Sequence, residues 1–142
     1  MGKRIFPPGC RSKERRRKYL AGISEGGDVL SCLFCRIVSG EVPAEILHED
    51  AEILAFRDIN PQAPHHILVV PRKHMDSLLQ VEEGDMHLLG RMHQVVAQLA
   101  RQNGLVDEGF RVVVNTGPAG GQTVGHLHFH LLGGRDMRWP PG

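Results

Sequence analysis

Three histidines alternate with apolar residues in His126-Leu127-His128-Phe129-His130-Leu131-Leu132, between Gly120-Gly121-Gln122-Thr123-Val124-Gly125 and the pair Gly133-Gly134. No other feature of the 142-residue chain restricts its folding as strongly. Strict alternation is a strand pattern. It sends the three imidazoles to one face and Leu127, Phe129 and Leu131 to the other. Three polar rings in phase need partners if they are buried, so plain packing explains them poorly. His-x-His on a strand is one way to hold zinc. Residues i and i+4 of a strand, however, lie roughly 13 Å apart, so the three rings reach one ion only across a bulge. The row suits the lining of a groove better than a metal cage. Neutral imidazole, with an unperturbed pKa of roughly 6.5, is a competent nucleophile near neutral pH. His128, flanked by histidine on both sides, is the natural nucleophile. His130 is placed to meet phosphoryl oxygens or a leaving group.

The preceding segment, Asn115-Thr116-Gly117-Pro118-Ala119-Gly120-Gly121-Gln122-Thr123, points the same way. Glycines let backbone N–H groups approach an anion closely, and Gln122 and Thr123 add side-chain donors. Alone it reads as a connection; beside the histidines it reads as a phosphate loop.

The rest of the chain supplies a frame. Order begins near Leu30. Residues 32–38 suit a short helix closed by Ser39-Gly40. Strands follow at 45–49 and 53–57, and Asp58–Pro64 is a polar loop stiffened by its prolines. His66–Pro71 is a nearly continuous apolar strand, expected to be buried on both faces. Met86, Leu89, Met92, Val96 and Leu99 form the stripe of a long helix over 82–102, stopped by Asn103-Gly104. Strands at 110–115 and 127–132 complete an α+β fold: a five-stranded, mainly antiparallel sheet with one long and one short helix.

The formal net charge of +1 hides a division. Lys3, Arg4, Arg11, Lys13, Arg15, Arg16, Arg17 and Lys18 face only Glu14 within residues 1–22, so the rest of the chain is acidic. An acidic body is a poor surface for a nucleic-acid backbone. Residues 1–31 read as a basic, disordered extension, with a nucleic-acid, membrane-surface or targeting tail as rivals, and residues 32–142 as the folded domain. No apolar run approaches the roughly 18 residues of a membrane span. Three cysteines make no disulfide framework, which favours a reduced, cytoplasmic setting. Cys32-x-x-Cys35 is either half of a zinc knuckle or a redox pair; Cys10 has no evident part.

At this level of detail the chain resembles the histidine triad family, with signature His-φ-His-φ-His-φ-φ (φ apolar). The resemblance extends to Cys32–Cys35, Phe56-Arg57-Asp58-Ile59-Asn60-Pro61-Gln62-Ala63-Pro64, Val70-Pro71-Arg72-Lys73-His74, and the ending Arg135-Asp136-Met137-Arg138-Trp139-Pro140-Pro141-Gly142. That ending is similar to the Hint branch, the histidine triad nucleotide-binding proteins.

The resemblance implies a homodimer in which two sheets join into ten strands, and a purine nucleoside phosphoramidase that also acts on aminoacyl or lysyl adenylates. It implies a nucleotidyl intermediate on His128, with His130 and His66 binding phosphate. Asp58 would hold the ribose, and Phe34, Ile37, Phe56 and Ile59 would line the purine pocket. Asn115, Gly121, Gln122 and Thr123 would face the phosphate and leaving amine, and Trp139 would lie near the partner's site. Thr123 stands where many members have Ser, and the hydroxyl survives. Gly125 replaces a bulkier residue and opens the leaving-group side. Zinc-binding members would supply His74 and His126 to complete Cys32 and Cys35 as a closed, structural zinc site. His65 reads as an exposed loop residue; His48, His87 and His93 read as surface histidines. Two other functions fit the motif: hydrolysis of dinucleoside polyphosphates, and nucleotide binding or scaffolding with incidental hydrolysis.

Overall fold

The apolar run after Pro64 becomes the middle of the sheet. In the computed structural model, which describes residues 29–142, the strands are β1 (Ile46–Glu49), β2 (Ile53–Arg57), β3 (His65–Pro71), β4 (Phe110–Val113) and β5 (Phe129–Gly133). Their order is β1-β2-β3-β5-β4, and every pairing is antiparallel. Six of the seven β3 residues are buried because both faces are covered. The turn into β2 is made by Asp50, whose Oδ1 accepts the N–H groups of Glu52 and Ile53 at 2.8 Å each.

Each face has its own core. On one, Ile53, Ala55, Ile67, Val69, Leu127, Phe129 and Leu131 meet helix α2 (Met86–Gln102) through Leu88, Met92, Val95, Val96 and Leu99. Each such side chain contributes about 1.5–3 kcal/mol when fully buried, so this stripe holds the helix in place. On the other face Leu54, Phe56, Leu68 and Val70 meet Phe34 of the short helix α1 (Leu33–Val38). The histidine row shares that second face: the Phe34 ring stands edge-on to His126 and His128, with centroids 5.9 and 5.0 Å apart.

The boundaries differ from the periodic reading in instructive places. α2 starts at Met86 because Glu83–Asp85 form a tighter 3-10 turn, in which Asp85 accepts the Glu82 N–H at 3.2 Å and the Lys73 ammonium at 2.7 Å. β4 stops at Val113, before Asn115. β5 starts at Phe129, so among the three histidines only His130 lies in the ladder. The residues before it bond elsewhere: Leu127 N–H donates to Met75 O at 2.6 Å, and His126 N–H to Val124 O at 2.9 Å. His65 is the first residue of β3 and half-buried, rather than an exposed loop residue. The basic run and Cys10 lie outside the described residues. Among the described residues no helix is long and apolar enough to cross a membrane.

Candidate active site and metal site

The row of imidazoles serves two neighbouring sites. His128 and His130 face a cleft of ≈ 410 Å³ bounded by α1, β2 and the loop after it. That volume lies within the range of small-ligand sites. Phe34, Ile37, Phe56, Leu68 and Val124 make its apolar wall; Asp58, His66, Thr123, His128 and His130 supply its polar groups.

Hydrogen bonds assign the proton on every ring. His128 Nδ1–H donates to the carbonyl of His126 at 2.7 Å, so Nε2 carries the lone pair. On the neighbouring strand, Gln62 N–H donates to His66 Nδ1 at 3.0 Å, which puts the His66 proton on Nε2. That Nε2–H donates to His130 Nδ1 at 2.8 Å. His130 must then carry its own proton on Nε2, a buried atom with no partner among the described residues. The site thus pairs an unprotonated nitrogen on His128 with an unsatisfied N–H donor on His130, whose ring centroids lie 4.8 Å apart. Burial is the main force keeping all three rings neutral: it pushes His128 and His66 below the usual histidine value and His130 down to about 4, with neighbouring His128 and His66 adding to the His130 shift.

Asp58, His66 and His130 also cluster closely enough to suggest an ion site. The Gln62 N–H argues against it, because it occupies His66 Nδ1 and leaves the proton on the nitrogen that would have to bind metal. Within the trio the hydrogen bond runs from His66 Nε2–H to His130 Nδ1. Asp58 Oδ2 lies 3.5 Å from His66 Nε2, and Oδ1 accepts the Asn60 N–H at 2.8 Å.

The proton assignment carries a pH dependence. A nucleophilic role for His128 would require the neutral ring, and its pKa lies below the usual value. We expect kcat/KM to stay level as pH falls through roughly 6.5 and to drop only on the acid side of that. A pH–rate profile whose acid limb bends at or above 6.5 would contradict this placement. Stability follows the same sign. An unfolded chain protonates His130 from roughly pH 6.5 downward, whereas the folded one resists until about 4, so its contribution is full above 6.5 and lost between the two.

His126, fully buried, belongs to the other site. Cys35 Sγ lies 3.2 Å from His74 Nδ1 and 3.5 Å from His126 Nδ1; Cys32 Sγ lies 3.5 Å from His126 Nδ1; the two Nδ1 atoms are 3.2 Å apart. A tetrahedral zinc with ordinary bond lengths has N–N edges of about 3.4 Å and N–S edges of about 3.6 Å. The donor set therefore fits zinc. The rings are also oriented for it: His126 Nε2–H donates to Pro71 O at 2.8 Å, and His74 Nε2 meets Asp76 Oδ1 at 2.7 Å. Both arrangements leave Nδ1 free to bind, as metal-bound histidines require. The redox alternative fits less well, since burial and the adjacent Cys32 push the Cys35 thiol up to about 11, far from a reactive thiolate. Two cysteines and two histidines close the coordination shell, so the metal they would hold is structural.

Several residues anticipated for the nucleotide stand elsewhere. Gln122 turns inward: its Nε2 donates to Asp76 O at 2.6 Å and Val124 O at 3.0 Å, and its Oε1 accepts the Gly117 N–H at 3.1 Å. The loop also satisfies some of its own backbone donors, Gly121 N–H on Pro118 O and Gln122 N–H on Gly117 O. It is a partly self-bonded turn, with the Gly117, Gly121 and Gln122 N–H groups engaged. Gly121 has φ +83°, and a Cβ on Gly120 would strike the Thr116 carbonyl. Asn115 and Gly121 lie beside each other, with Asn115 Nδ2 3.5 Å from Gly121 O, and neither lines the cleft. Thr123 does line it, and Ile59 lies on its rim fully exposed. Trp139 is 84% exposed and outside the cleft of its own chain. The periodic reading missed Leu33, Val42, Pro43, Ala44, Leu68 and Val124 as lining residues. It also missed Asp76; the spacing His74-x-Asp76 was the available hint.

A family model described as the HIT domain matches residues 39–137. The chain belongs to the HIT family. An uncharacterised HIT-like protein of Synechococcus elongatus is 54% identical over 110 residues, covering 78% of this chain and 96% of that protein. A 14 kDa zinc-binding protein of Brassica juncea is 49% identical over 112 residues, covering 78% and 98%. The adenylylsulfatase HINT1 of Arabidopsis thaliana is 48% identical over 112 residues, covering 78% and 76%. Among solved structures, a HIT family hydrolase from Legionella pneumophila superposes with a TM-score of 0.78 at 50% identity, covering 79% of this chain and all of that one. The HIT fold expected from the triad is therefore the fold observed, with Hint-like proteins among the relatives.

Proposed function

We propose that this HIT protein hydrolyses purine nucleoside phosphoramidates such as adenosine 5′-phosphoramidate, and also aminoacyl or lysyl adenylates, whose carboxylate leaves in place of the amine, through a nucleotidyl intermediate on His128. The observation that carries the reading is the proton pattern: His128 Nε2 is unprotonated because Nδ1–H is held by a backbone carbonyl, and His130 Nε2–H is unsatisfied beside it. A nucleophile and a donor for developing negative charge thus share one end of an apolar cleft. In the first step His128 Nε2 forms a bond to phosphorus as the P–N bond breaks, and the amine leaves with a proton from solvent. In the second, water adds to phosphorus, releases a proton, and returns neutral His128 with the nucleoside monophosphate. His66 supports the step by donating to His130, which keeps the His130 proton on the atom facing phosphate.

The cleft wall of Phe34, Ile37 and Phe56, with Ile59 at its rim, takes the purine. Asp58 takes the ribose, and Thr123 contributes a hydroxyl near the leaving group. The name of the Arabidopsis relative, an adenylylsulfatase, supports an adenylyl group as the part of the substrate that is recognised. The test is to incubate the protein with adenosine 5′-phosphoramidate, a diadenosine polyphosphate and adenylyl sulfate, with His128→Ala alongside. Cleavage no faster than by the variant defeats the enzyme reading. Cleavage of the polyphosphate or the sulfate alone defeats the P–N assignment.

Zinc in the Cys32, Cys35, His74 and His126 site belongs to the same proposal, supported by the donor geometry and by the plant zinc-binding relatives. So does a homodimer through the edge strand β4, where Phe110 and Trp139 are exposed. Sedimentation should give twice the chain mass, and a monomer at micromolar concentration would refute the pairing.

A further inference from the structure

One residue between the metal site and the glycine loop touches both, and neither the metal nor the nucleotide uses it directly. The Asp76 carboxylate meets His74 Nε2 at 2.7 Å through Oδ1 and accepts Gln80 Nε2–H at 3.1 Å through Oδ2. Its N–H donates to Gln80 Oε1, so Gln80 clamps the residue from both sides. Its backbone carbonyl accepts Gln122 Nε2–H at 2.6 Å. That same Gln122 amide bonds Gly117 N–H and Val124 O, bracing the loop at both ends. The path is short and shielded from water, with the His74 and Asp76 side chains only 11% and 14% exposed.

We propose that Asp76 is a positioning residue that couples occupancy of the Cys32/Cys35/His74/His126 site to the conformation of the 116–123 loop, and so to Thr123. A metal on His74 Nδ1 fixes that ring and keeps its proton on Nε2, aimed at the Asp76 carboxylate. The carboxylate, held on its other oxygen by Gln80, fixes the carbonyl to which Gln122 is bonded. With the metal gone, His74 is free to rotate, the carboxylate loses its strongest partner, and the brace on the loop weakens. The loop sits on the wall of the nucleotide cleft through Thr123 and Val124. The consequence for substrate rests on the phosphoramidase reading; the coupling does not.

The experiment compares the zinc-loaded protein, the same protein stripped by a chelator, and zinc-saturated Asp76→Ala, Asp76→Asn and Gln122→Ala. It reads amide hydrogen exchange over residues 116–124 and zinc affinity by chelator competition. Stripping should speed loop exchange by at least about tenfold. Asp76→Ala should show the same fast exchange even when zinc-saturated, and bind zinc about 10–100-fold more weakly. Asp76→Asn, which can still accept from His74, should recover part of both. Gln122→Ala should loosen the loop with zinc affinity unchanged. With adenosine 5′-phosphoramidate, Asp76→Ala and Gln122→Ala should raise KM more than they lower kcat. Loop exchange unmoved by metal removal, or wild-type exchange in zinc-saturated Asp76→Ala, overturns the coupling. If no form cleaves the phosphoramidate, the functional reading falls, while the exchange and zinc measurements still decide the role of Asp76.

Discussion

Replacing His128 with alanine is expected to lower kcat/KM for adenosine 5′-phosphoramidate by at least about 10³-fold, with little change in affinity for the product nucleotide. The size follows from the role. Losing an attacking group removes the covalent route altogether, and catalytic groups acting as a unit cost about this much or more when one is deleted. The affinity should survive because the apolar wall and the His66–His130 pair do not depend on His128 for their bonds. Stability should fall modestly, by about 1–3 kcal/mol, for a vacated ring and an unpaired His126 carbonyl. Rapid-quench mass spectrometry should find a nucleotidyl adduct in the parent protein and none in the variant. An adduct persisting in His128→Ala would transfer the nucleophile's role to another residue.

Replacing His126 should do the opposite. Its ring is a metal ligand in the proposed site, while its carbonyl, which orients His128, belongs to the backbone and survives substitution. We expect His126→Ala, or chelator treatment of the parent protein, to remove zinc and lower Tm by about 10 °C or more. A ligand present at about a thousand times its Kd stabilises by about 4 kcal/mol, and each kcal/mol moves Tm by several degrees in a domain of this size. Turnover should fall less than in His128→Ala. Matched turnover losses in the two variants, with unchanged melting and zinc content, would end the division of labour along the row. So would the absence of zinc from protein purified without added metal or chelator.

Much of this molecule is readable before any coordinates. Alternation in the triad places Leu127, Phe129 and Leu131 in one core and the imidazoles on the opposite face. A continuous apolar run marks β3 as the buried centre, and the helical stripe gives α2 its inward side. These are periodic properties, written in the side chains themselves. The proposal of His128 as nucleophile has the same origin, since its place is the middle of a pattern.

What periodicity does not carry is which atom bonds which across the chain. The loop looked like a set of free donors because glycine frees the backbone; in the fold three of them, the N–H groups of Gly121, Gln122 and Gly117, close on Pro118, Gly117 and Gln122. Gln122 looked like a phosphate ligand and is instead the loop's brace. The proton on His130 is fixed by Gln62, a residue 68 positions earlier, acting through His66. Composition and spacing announce that histidines will do chemistry. Only the meeting of β3 with β5, and of residues 74–76 with the turn before the triad, assigns each ring its proton and sets His126 beside Cys32, Cys35 and His74 while His128 and His130 face the cleft, because those placements are made by contacts between distant segments.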